Sequence, residues 1–378
     1  MNTVSWSGPR LFCTLFTLFA VFELVIRFKE SVTVLRSEVN DAEIKELEIE
    51  ISNDGNYRLT PEPVNEPATN PPYHVDTIDG EERARLMRKR CKEMNAEFRV
   101  NTRFPIDKRI FLAREGNLAY CSVAKVYSSS LKRIFYVMSK NRTASEIEAD
   151  INVAGSVQYA HFIPWFGPKS VLFHFPEEEW ISILKSRYMF AFVRDPVDKV
   201  ISAYRDKFYS STNDSFHQYI QKIFGPDICN SMKEHHDIME HYDATVYNCD
   251  VTPPEFDLKA FLVWNFLVDK EKLPHDVRDN PHWSNQISLC RLCDPTYEYN
   301  FIGHFESGTR DIESLFHRAG WNFGLPPPHP DDMVMSAQEK EFFQVMVNRL
   351  PKDLMHEIYR TVSLERYLLG YTNQKPHV

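Results

Sequence analysis

Residues 118–140 combine an apolar run, a loop with a lysine, and a helical pattern that opens with three consecutive serines. Residues 118–123 have the composition of a buried strand, and residues 128–140 carry apolar side chains at helical spacing. Lys125 lies in the intervening loop, and Ser128, Ser129 and Ser130 begin the helix. A helix N-terminus offers unpaired N–H groups and a positive dipole end, which suit a phosphate. The pattern predicts a phosphate site, although serines that merely cap a helix beside a solvated lysine would look the same.

An arginine stands at the end of a second apolar run. Residues 188–193 read as a strand, Arg194 follows it, and Asp195 is placed to cap the next helix. Ligands of open α/β folds bind at the carboxyl edge of the sheet, where Arg194 can grip a phosphate with two parallel hydrogen bonds. Ser202 lies two turns into the helix and can donate to the same group. An Arg194–Asp198 ion pair with a solvent-facing serine is the competing interpretation.

A histidine and a cysteine pair mark a third segment, residues 280–293. An isolated histidine titrates near neutral pH, so His282 can act as a general base. A packed, hydrogen-bonded histidine beside Trp283 is the alternative. Cys290 and Cys293 have the spacing of half a zinc site, but no second pair at suitable spacing completes four ligands. We therefore expect no metal.

Apolar runs and helical patterns alternate from about residue 82 onward. This alternation predicts βαβ units and an α/β fold with a mainly parallel central sheet flanked by helices. The expected strands cover residues 118–123, 171–175, 188–193 and 299–303. The expected helices cover residues 128–140 and 177–186, the stretch after Asp195, and the stretch carrying Ile312, Leu315 and Phe316. The C-terminal third reads as mostly helical.

Residues 11–26 predict attachment to a membrane, because they are apolar apart from Glu23. The run is shorter than the roughly 20 residues that span a bilayer core, so a cleaved signal peptide and a buried helix are alternatives. No small-x-small cleavage motif follows, which favours a signal anchor. We expect a cytosolic tail at 1–9, a transmembrane anchor at 10–28, a flexible acidic stem at 29–81 and a compact domain at 82–378.

The net charge of −9 argues against non-specific binding of nucleic acid. Much of this charge is local, since residues 30–70 hold ten acidic and three basic residues. The rest of the chain is nearly neutral and can still form a basic pocket for an anionic substrate.

Seven cysteines occur, and Cys13 lies in the predicted anchor. The other six form an even number, which suits disulfides in an oxidising lumen. Proximity in sequence favours two pairs, Cys229 with Cys249 and Cys290 with Cys293. Two N-glycosylation sequons, which begin at Asn141 and Asn213, agree with an exported domain.

In this order, the three segments resemble the Golgi carbohydrate sulfotransferases of the chondroitin 4-O- and HNK-1 type, over roughly residues 121–320. The 5′-phosphosulfate loop of that family reads Pro-Lys-Val-Gly-Cys-Ser/Thr-Asn-Trp-Lys-Arg. This chain matches it at Lys125, Val126, Ser129, Lys132 and Arg133, and departs from it at Ala124, Tyr127, Ser128, Ser130 and Leu131.

The other two segments follow the family more closely. Arg194 and Ser202 occupy the phosphate-contacting positions of its 3′-phosphate motif. The third segment resembles the family's His-Trp-x-Pro-Gln, Cys-x-x-Cys and Phe-x-Gly-Lys-Phe-Glu stretches, with Asn285 in place of the proline and His304 in place of the lysine.

The resemblance implies a P-loop-like sulfotransferase fold and the donor 3′-phosphoadenosine 5′-phosphosulfate. Lys125 would stabilise the leaving phosphate together with the serines of the loop, and Lys132 and Arg133 would assist binding. Arg194 and Ser202 would anchor the 3′-phosphate. A base would take the acceptor proton, and the candidates in order of preference are His282, His161 and His304.

The resemblance also implies an acceptor and an address. The acceptor would be a sugar hydroxyl of a glycan, with chondroitin-type N-acetylgalactosamine as the family-level expectation. The cellular location would be the Golgi membrane, with the chain in single-pass type II orientation and the large domain in the lumen. A competing hypothesis is a Golgi homologue that binds a glycan or a partner enzyme without catalysis, because Tyr127 adds bulk where the family has glycine. A type II glycosyltransferase is a weaker third hypothesis, since no convincing Asp-x-Asp motif occurs.

Overall fold

A computed structural model describes residues 78–94, 106–113, 117–139, 170–209, 215–249, 255–318 and 344–376. The chain divides into two compact units, Met1–Glu66 and Pro67–Val378, and every described residue belongs to the second. The predicted anchor, His161 and both glycosylation sites, Asn141 and Asn213, lie outside the described residues. No helix in the described ranges is both long and apolar enough to cross a membrane.

A four-stranded sheet forms the centre of the described domain, in the order β1–β2–β3–β6. Its strands are β1 (Ile110–Leu112), β2 (Leu118–Cys121), β3 (Tyr188–Val193) and β6 (Phe301–His304). β2 and β3 are parallel, as are β3 and β6, while β1 adds an antiparallel edge. The predicted mixed α/β architecture is therefore confirmed. A separate two-stranded sheet joins β4 (Val246–Asn248) to β5 (Glu255–Phe256).

The register of the parallel strands brings their carboxyl ends to one edge. Cys121 pairs with Ala191, and Val193 pairs with His304. β3 is buried along nearly its whole length, as expected for a central strand covered on both faces. The loop after β2 and the residue after β3 therefore leave the sheet side by side, at the edge where open α/β folds bind ligands.

Twelve named α-helices surround the sheet in the described ranges. They are α1 (Gly80–Glu93), α2 (Ser128–Ser139), α3 (Trp180–Lys185), α4 (Pro196–Tyr204), α5 (Ser215–Glu234), α6 (His236–His241), α7 (Leu258–Leu267), α8 (His275–Arg278), α9 (Gln286–Cys290), α10 (Gly308–Arg318), α11 (Lys352–Thr361) and α12 (Ser363–Leu369). α4 begins as predicted, since the Asp195 carboxylate accepts a hydrogen bond from Val197 N at 3.0 Å. A π-helical turn, Arg205–Tyr209, continues α4.

The predicted strand at residues 171–175 is wrong. Val171 makes a single isolated bridge to Phe111, and Leu172–His174 then form a 3-10 turn. The backbone N–H of His174 donates to the Val171 carbonyl at 3.0 Å, so the chain turns away from the sheet after one pairing. The apolar composition of this stretch reflects burial of Val171 and Leu172 and not strand structure.

Two apolar clusters stabilise the fold. One covers the faces of the sheet, and the other joins α4, α5, α7 and α11. In the second cluster Trp283 packs edge-on against Phe261, with ring centroids 5.8 Å apart, and its indole N–H donates to the Val277 carbonyl at 2.9 Å. This anchored tryptophan fixes the backbone next to His282.

Three disulfides link the six described cysteines. Cys229–Cys249 is confirmed, whereas the predicted Cys290–Cys293 pair is wrong. Cys121 at the end of β2 binds Cys290, and Cys91 of α1 binds Cys293. Arg291 lies between the two C-terminal cysteines in the left-handed conformation (φ 48°) that ends α9, and this places each beside a different distant partner.

Candidate functional site

The loop between β2 and α2 has a left-handed backbone at two residues. Lys125 has φ 67° and Tyr127 has φ 52°, a region that glycine enters at lower cost than other residues. The Tyr127 ring stacks on Phe305 at 4.6 Å, and its hydroxyl donates to the Phe305 carbonyl at 3.0 Å. Gly308 permits this packing, since a Cβ there would overlap the tyrosine hydroxyl. The Tyr127 ring thus packs against Phe305, the residue after β6, at the margin of the core.

Lys125 forms the centre of a small charged cluster. Its Nζ lies 2.8 Å from Asp206 Oδ2, and Lys207 Nζ lies 2.8 Å from the same oxygen. Both lysines are nearly buried, with side-chain exposures of 8% and 5%. Burial lowers the pKa of Lys125 to about 8, although Asp206 opposes that fall. One carboxylate therefore holds two cations at the mouth of the loop, and the cluster carries a net positive charge while both are protonated.

His282 lies in the same electrostatic neighbourhood. Burial holds its pKa well below 6.5, and the cations Lys207 and Lys125 lower it further, so the ring is neutral at neutral pH. Asn280 Oδ1 accepts from the backbone N–H of His282 at 3.1 Å and lies 2.8 Å from the ring Nδ1. An amide oxygen cannot donate, so Nδ1 carries the proton and Nε2 keeps a lone pair. The geometry supplies a neutral imidazole with an unprotonated Nε2.

Arg194 is fixed by its backbone and leaves its head group for a ligand. Gln286 Oε1 accepts from Arg194 N at 2.9 Å, and Gln286 Nε2 donates to the Arg194 carbonyl at 2.7 Å. The guanidinium lies over the Phe305 ring, 4.2 Å from its centroid. Its Nε is buried and has no hydrogen-bond partner within the described part of the chain. A buried donor without a partner is costly, so this atom fits an anion.

Lys199 is a further buried cation near the site. It is 1% exposed, and burial lowers its pKa; the carboxylate of Glu365 opposes that fall, while the cations Arg109, Lys125 and Arg194 add to it. Lys125 and Arg194 are therefore both near enough to Lys199 to act on its charge. Glu365 supplies the opposite charge for this buried lysine, so the positive charge of Lys199 is balanced within the protein.

The other predicted site residues take different positions. Ser128, Ser129 and Ser130 lie half-buried in the first turn of α2. Lys132 turns to the Phe111 ring, 5.3 Å from its centroid, and burial together with Arg109 lowers its pKa to about 8. Arg133 lies on α2, where only its backbone is described.

The remaining two candidates lie on α4 and β6. Ser202 is buried on α4, two turns after its capping aspartate. His304 is buried at the end of β6, stacks on Tyr371 at 4.5 Å and has Nε2 2.9 Å from the Leu369 carbonyl. Since a carbonyl only accepts, that nitrogen carries the proton and is not an available base.

Sequence reasoning missed the residues that organise the cluster. Asp206 and Lys207 lie in the π-helical turn after α4, and such turns are frequent at functional sites. Lys199 lies outside the helical spacing of the apolar residues Val197, Val200, Ile201 and Tyr204, so the sequence gives no signal of its burial on α4. Gln286 ends the stretch that resembles the family's His-Trp-x-Pro-Gln motif, which was the signal that could have identified it, whereas Arg109 carries no local pattern that points to the site.

Comparisons with known proteins give the family of the chain. The family model described as "Sulfotransferase family" matches residues 108–372, a range that includes all three chemical segments. Carbohydrate sulfotransferase 14 of Danio rerio is 26% identical over 294 residues, which cover 76% of this chain and 70% of that protein. Carbohydrate sulfotransferase 11 of Rattus norvegicus is 26% identical over 279 residues, covering 70% and 67%. Carbohydrate sulfotransferase 10 of Rattus norvegicus is 26% identical over 304 residues, covering 78% and 76%. No solved structure matches significantly.

Proposed function

This chain belongs to the sulfotransferase family, and we propose that it transfers a sulfuryl group from 3′-phosphoadenosine 5′-phosphosulfate to a sugar hydroxyl of a glycan. The family supports the donor. The three relatives described above are carbohydrate sulfotransferases, which supports a glycan acceptor. The parallel strands β2, β3 and β6, with the Lys125 loop after β2, support a P-loop-like sulfotransferase fold.

One observation carries the assignment of the donor site. Lys125 and Arg194 follow the neighbouring parallel strands β2 and β3, at the same edge of the sheet. The donor has two anionic ends, a 5′-phosphosulfate and a 3′-phosphate. We assign the first to the Lys125 loop with Ser128, Ser129 and Ser130, and the second to Arg194 with Ser202. The unpartnered Nε of Arg194 fits the 3′-phosphate, and the two lysines Lys125 and Lys207, which share one carboxylate, fit the 5′-phosphosulfate.

The donor supplies a sulfuryl group whose bond to the phosphate oxygen breaks as the acceptor oxygen bonds to sulfur. By analogy with phosphoryl transfer, catalysis then rests on positioning and on fixed cations. Lys125 stabilises the negative charge that develops on the departing phosphate oxygen. Asp206 holds Lys125 in place at 2.8 Å, and Lys207 adds a second cation to the same cluster.

His282 acts as the general base in this proposal. Its Nδ1–H is directed to Asn280, so Nε2 is left to take the proton from the acceptor hydroxyl. Burial and the nearby cations hold the pKa of the ring well below 6.5, which keeps that nitrogen unprotonated at neutral pH. Among the described candidates His304 is the poorer base, because its Nε2 already donates to a carbonyl.

We further propose a chondroitin-type N-acetylgalactosamine acceptor and a Golgi membrane location with the large domain in the lumen. The resemblance of the motifs supports both. The three disulfides, which persist in oxidising compartments, support the lumenal placement. The anchor at 10–28 would tether the chain in type II orientation.

The test is transfer of labelled sulfate from the donor to a panel of desulfated glycosaminoglycans and N-glycans by the full-length protein. We expect at least one acceptor to be labelled. His282→Gln should lower kcat by about 10²- to 10⁴-fold, the usual contribution of a general base, with little change in donor affinity. His236→Gln, in an exposed position on α6, is the matched control and should leave transfer unchanged.

The competing hypothesis of a non-catalytic homologue predicts a different result. Such a protein would bind 3′-phosphoadenosine 5′-phosphate or a glycan but label no acceptor. The position of Tyr127 weakens the reason for that hypothesis, because its ring packs on Phe305 and Phe192 and not in the loop opening.

A further inference from the structure

Lys199 is a buried lysine that has no assigned contact with the donor or the acceptor, and it holds the backbone next to His282, the proposed base. Lys199 Nζ donates to the carbonyls of His282 at 3.0 Å and Ser284 at 2.9 Å. Lys199 lies on α4, and the two carbonyls flank Trp283, which is itself anchored in the helical core. A substitution of Lys199 would therefore alter the position of the His282 ring, because Lys199 is bonded directly to the backbone of that residue.

A buried carboxylate holds the other end of the same segment. Glu365 of α12 is 8% exposed, and its Oε1 accepts from Gln286 N at 2.8 Å while Oε2 accepts from Asn285 Nδ2 at 2.9 Å. Gln286 in turn contacts both the N–H and the carbonyl of Arg194. Residues 280–286, which we term the base segment, thus join the proposed base to the proposed 3′-phosphate arginine.

The energetics of buried charges point to a role beyond stability. Two charged groups taken out of water lose hydration, and apolar replacements of similar volume are often as stable or more so. Here Lys199 donates to the carbonyls of residues 282 and 284, and Glu365 accepts from residues 285 and 286. Their hydrogen bonds therefore fix the backbone that runs from His282 to Gln286.

We propose that Lys199 and Glu365 are positioning residues for sulfuryl transfer, holding the base segment so that His282 and Arg194 keep a fixed spacing. The inference rests on the proposed function for the roles of His282 and Arg194. The two residues act on different steps. Lys199 sets the orientation of His282 and so affects kcat, whereas Glu365 acts through Gln286 on Arg194 and so affects donor affinity.

The experiment compares Lys199→Met, Lys199→Arg and Glu365→Gln in the full-length protein. It measures kcat at saturating donor, the Kd for 3′-phosphoadenosine 5′-phosphate, and the pH dependence of His282 modification by diethyl pyrocarbonate, read by mass spectrometry. Lys199→Met should lower kcat by at least about tenfold with Kd within about twofold, the scale of a misoriented catalytic group. Lys199→Arg, which keeps the charge and the donors, should recover most of that loss.

The other readouts separate positioning from simple destabilisation. Lys199→Met should shift the His282 modification profile to higher pH, because it removes a cation that lowers the pKa of that ring. Glu365→Gln should raise the Kd by about tenfold, as expected for a loosened charged contact, and change kcat less. Should Lys199→Met fail to fold, the double variant Lys199→Met with Glu365→Gln removes both charges and should show both defects.

Three results would overturn the inference: unchanged kcat and Kd in both variants, parallel changes that merely follow melting temperature, or an unshifted His282 profile in Lys199→Met. Failure of the proposed function would look different. In that case the wild-type protein labels no glycan, yet the nucleotide Kd of Glu365→Gln and the His282 profile of Lys199→Met still decide whether the base segment is held as proposed.

Discussion

Replacing Lys125 by methionine tests the proposed leaving-group cation most directly. Lys125 is nearly buried, and its Nζ lies 2.8 Å from Asp206 Oδ2. At about 4 Å and an effective dielectric constant of about 20, two unit charges interact by about 4 kcal/mol. Loss of one preorganised donor to a developing oxyanion costs about 2.7–4 kcal/mol in other enzymes. Both magnitudes predict a fall in kcat of about 10²- to 10³-fold.

The structure also predicts that Lys125→Met keeps the protein folded. Asp206 would still contact Lys207 at 2.8 Å, so no buried carboxylate is left without a cation. Lys259→Met is the matched control, because Lys259 also pairs with one aspartate, Asp243, at 3.2 Å. Initial rates with labelled donor and thermal melts of both variants are the assays. A folded Lys125→Met protein whose kcat stays within threefold of wild type would refute the reasoning.

Three further predictions follow from the site and the fold. The rate at low donor concentration should fall as pH rises through about 8, because the pKa of Lys125 is about 8 and the free enzyme loses that cation above it. Lys125→Arg should not show this fall. If the fall persists in the variant, another group is responsible for it. Arg194→Lys should raise the Kd for 3′-phosphoadenosine 5′-phosphate by about 10- to 100-fold in calorimetry, since lysine cannot make bidentate hydrogen bonds to a phosphate. An unchanged Kd would mean that the 3′-phosphate binds elsewhere. Serine at both Cys229 and Cys249 should lower the free energy of unfolding by about 3 kcal/mol in urea titrations, as expected for a bridge across 20 residues; an unchanged free energy of unfolding would contradict this prediction.

Local patterns predicted much of the framework of the site. The runs at 118–123 and 188–193 became β2 and β3, and the helix starts at Ser128 and after Asp195 are where the capping and spacing rules place them. Lys125 and Arg194 were therefore expected at one sheet edge, because residues that follow parallel strands leave the sheet together. These features depend on interactions within a few residues of the chain.

Contacts between distant segments escaped the same reasoning. The bridges Cys91–Cys293 and Cys121–Cys290 join residues 202 and 169 positions apart, so proximity in sequence favoured the wrong partner. The stretch 171–175 has strand composition, but it reaches the sheet for only one pairing. Composition records that a residue is buried and does not record what covers it.

The sequence by itself determined the parallel strands β2, β3 and β6, the helix starts after β2 and β3, and the two cations that follow those strands, because hydrophobic period and capping chemistry act locally. Only the tertiary structure decided that Asp206 joins Lys125 to Lys207 and that Lys199 holds the backbone of His282. Those contacts depend on how α4, its π-helical turn and the base segment pack around a shared core, and burial there alters the pKa values on which the chemistry depends.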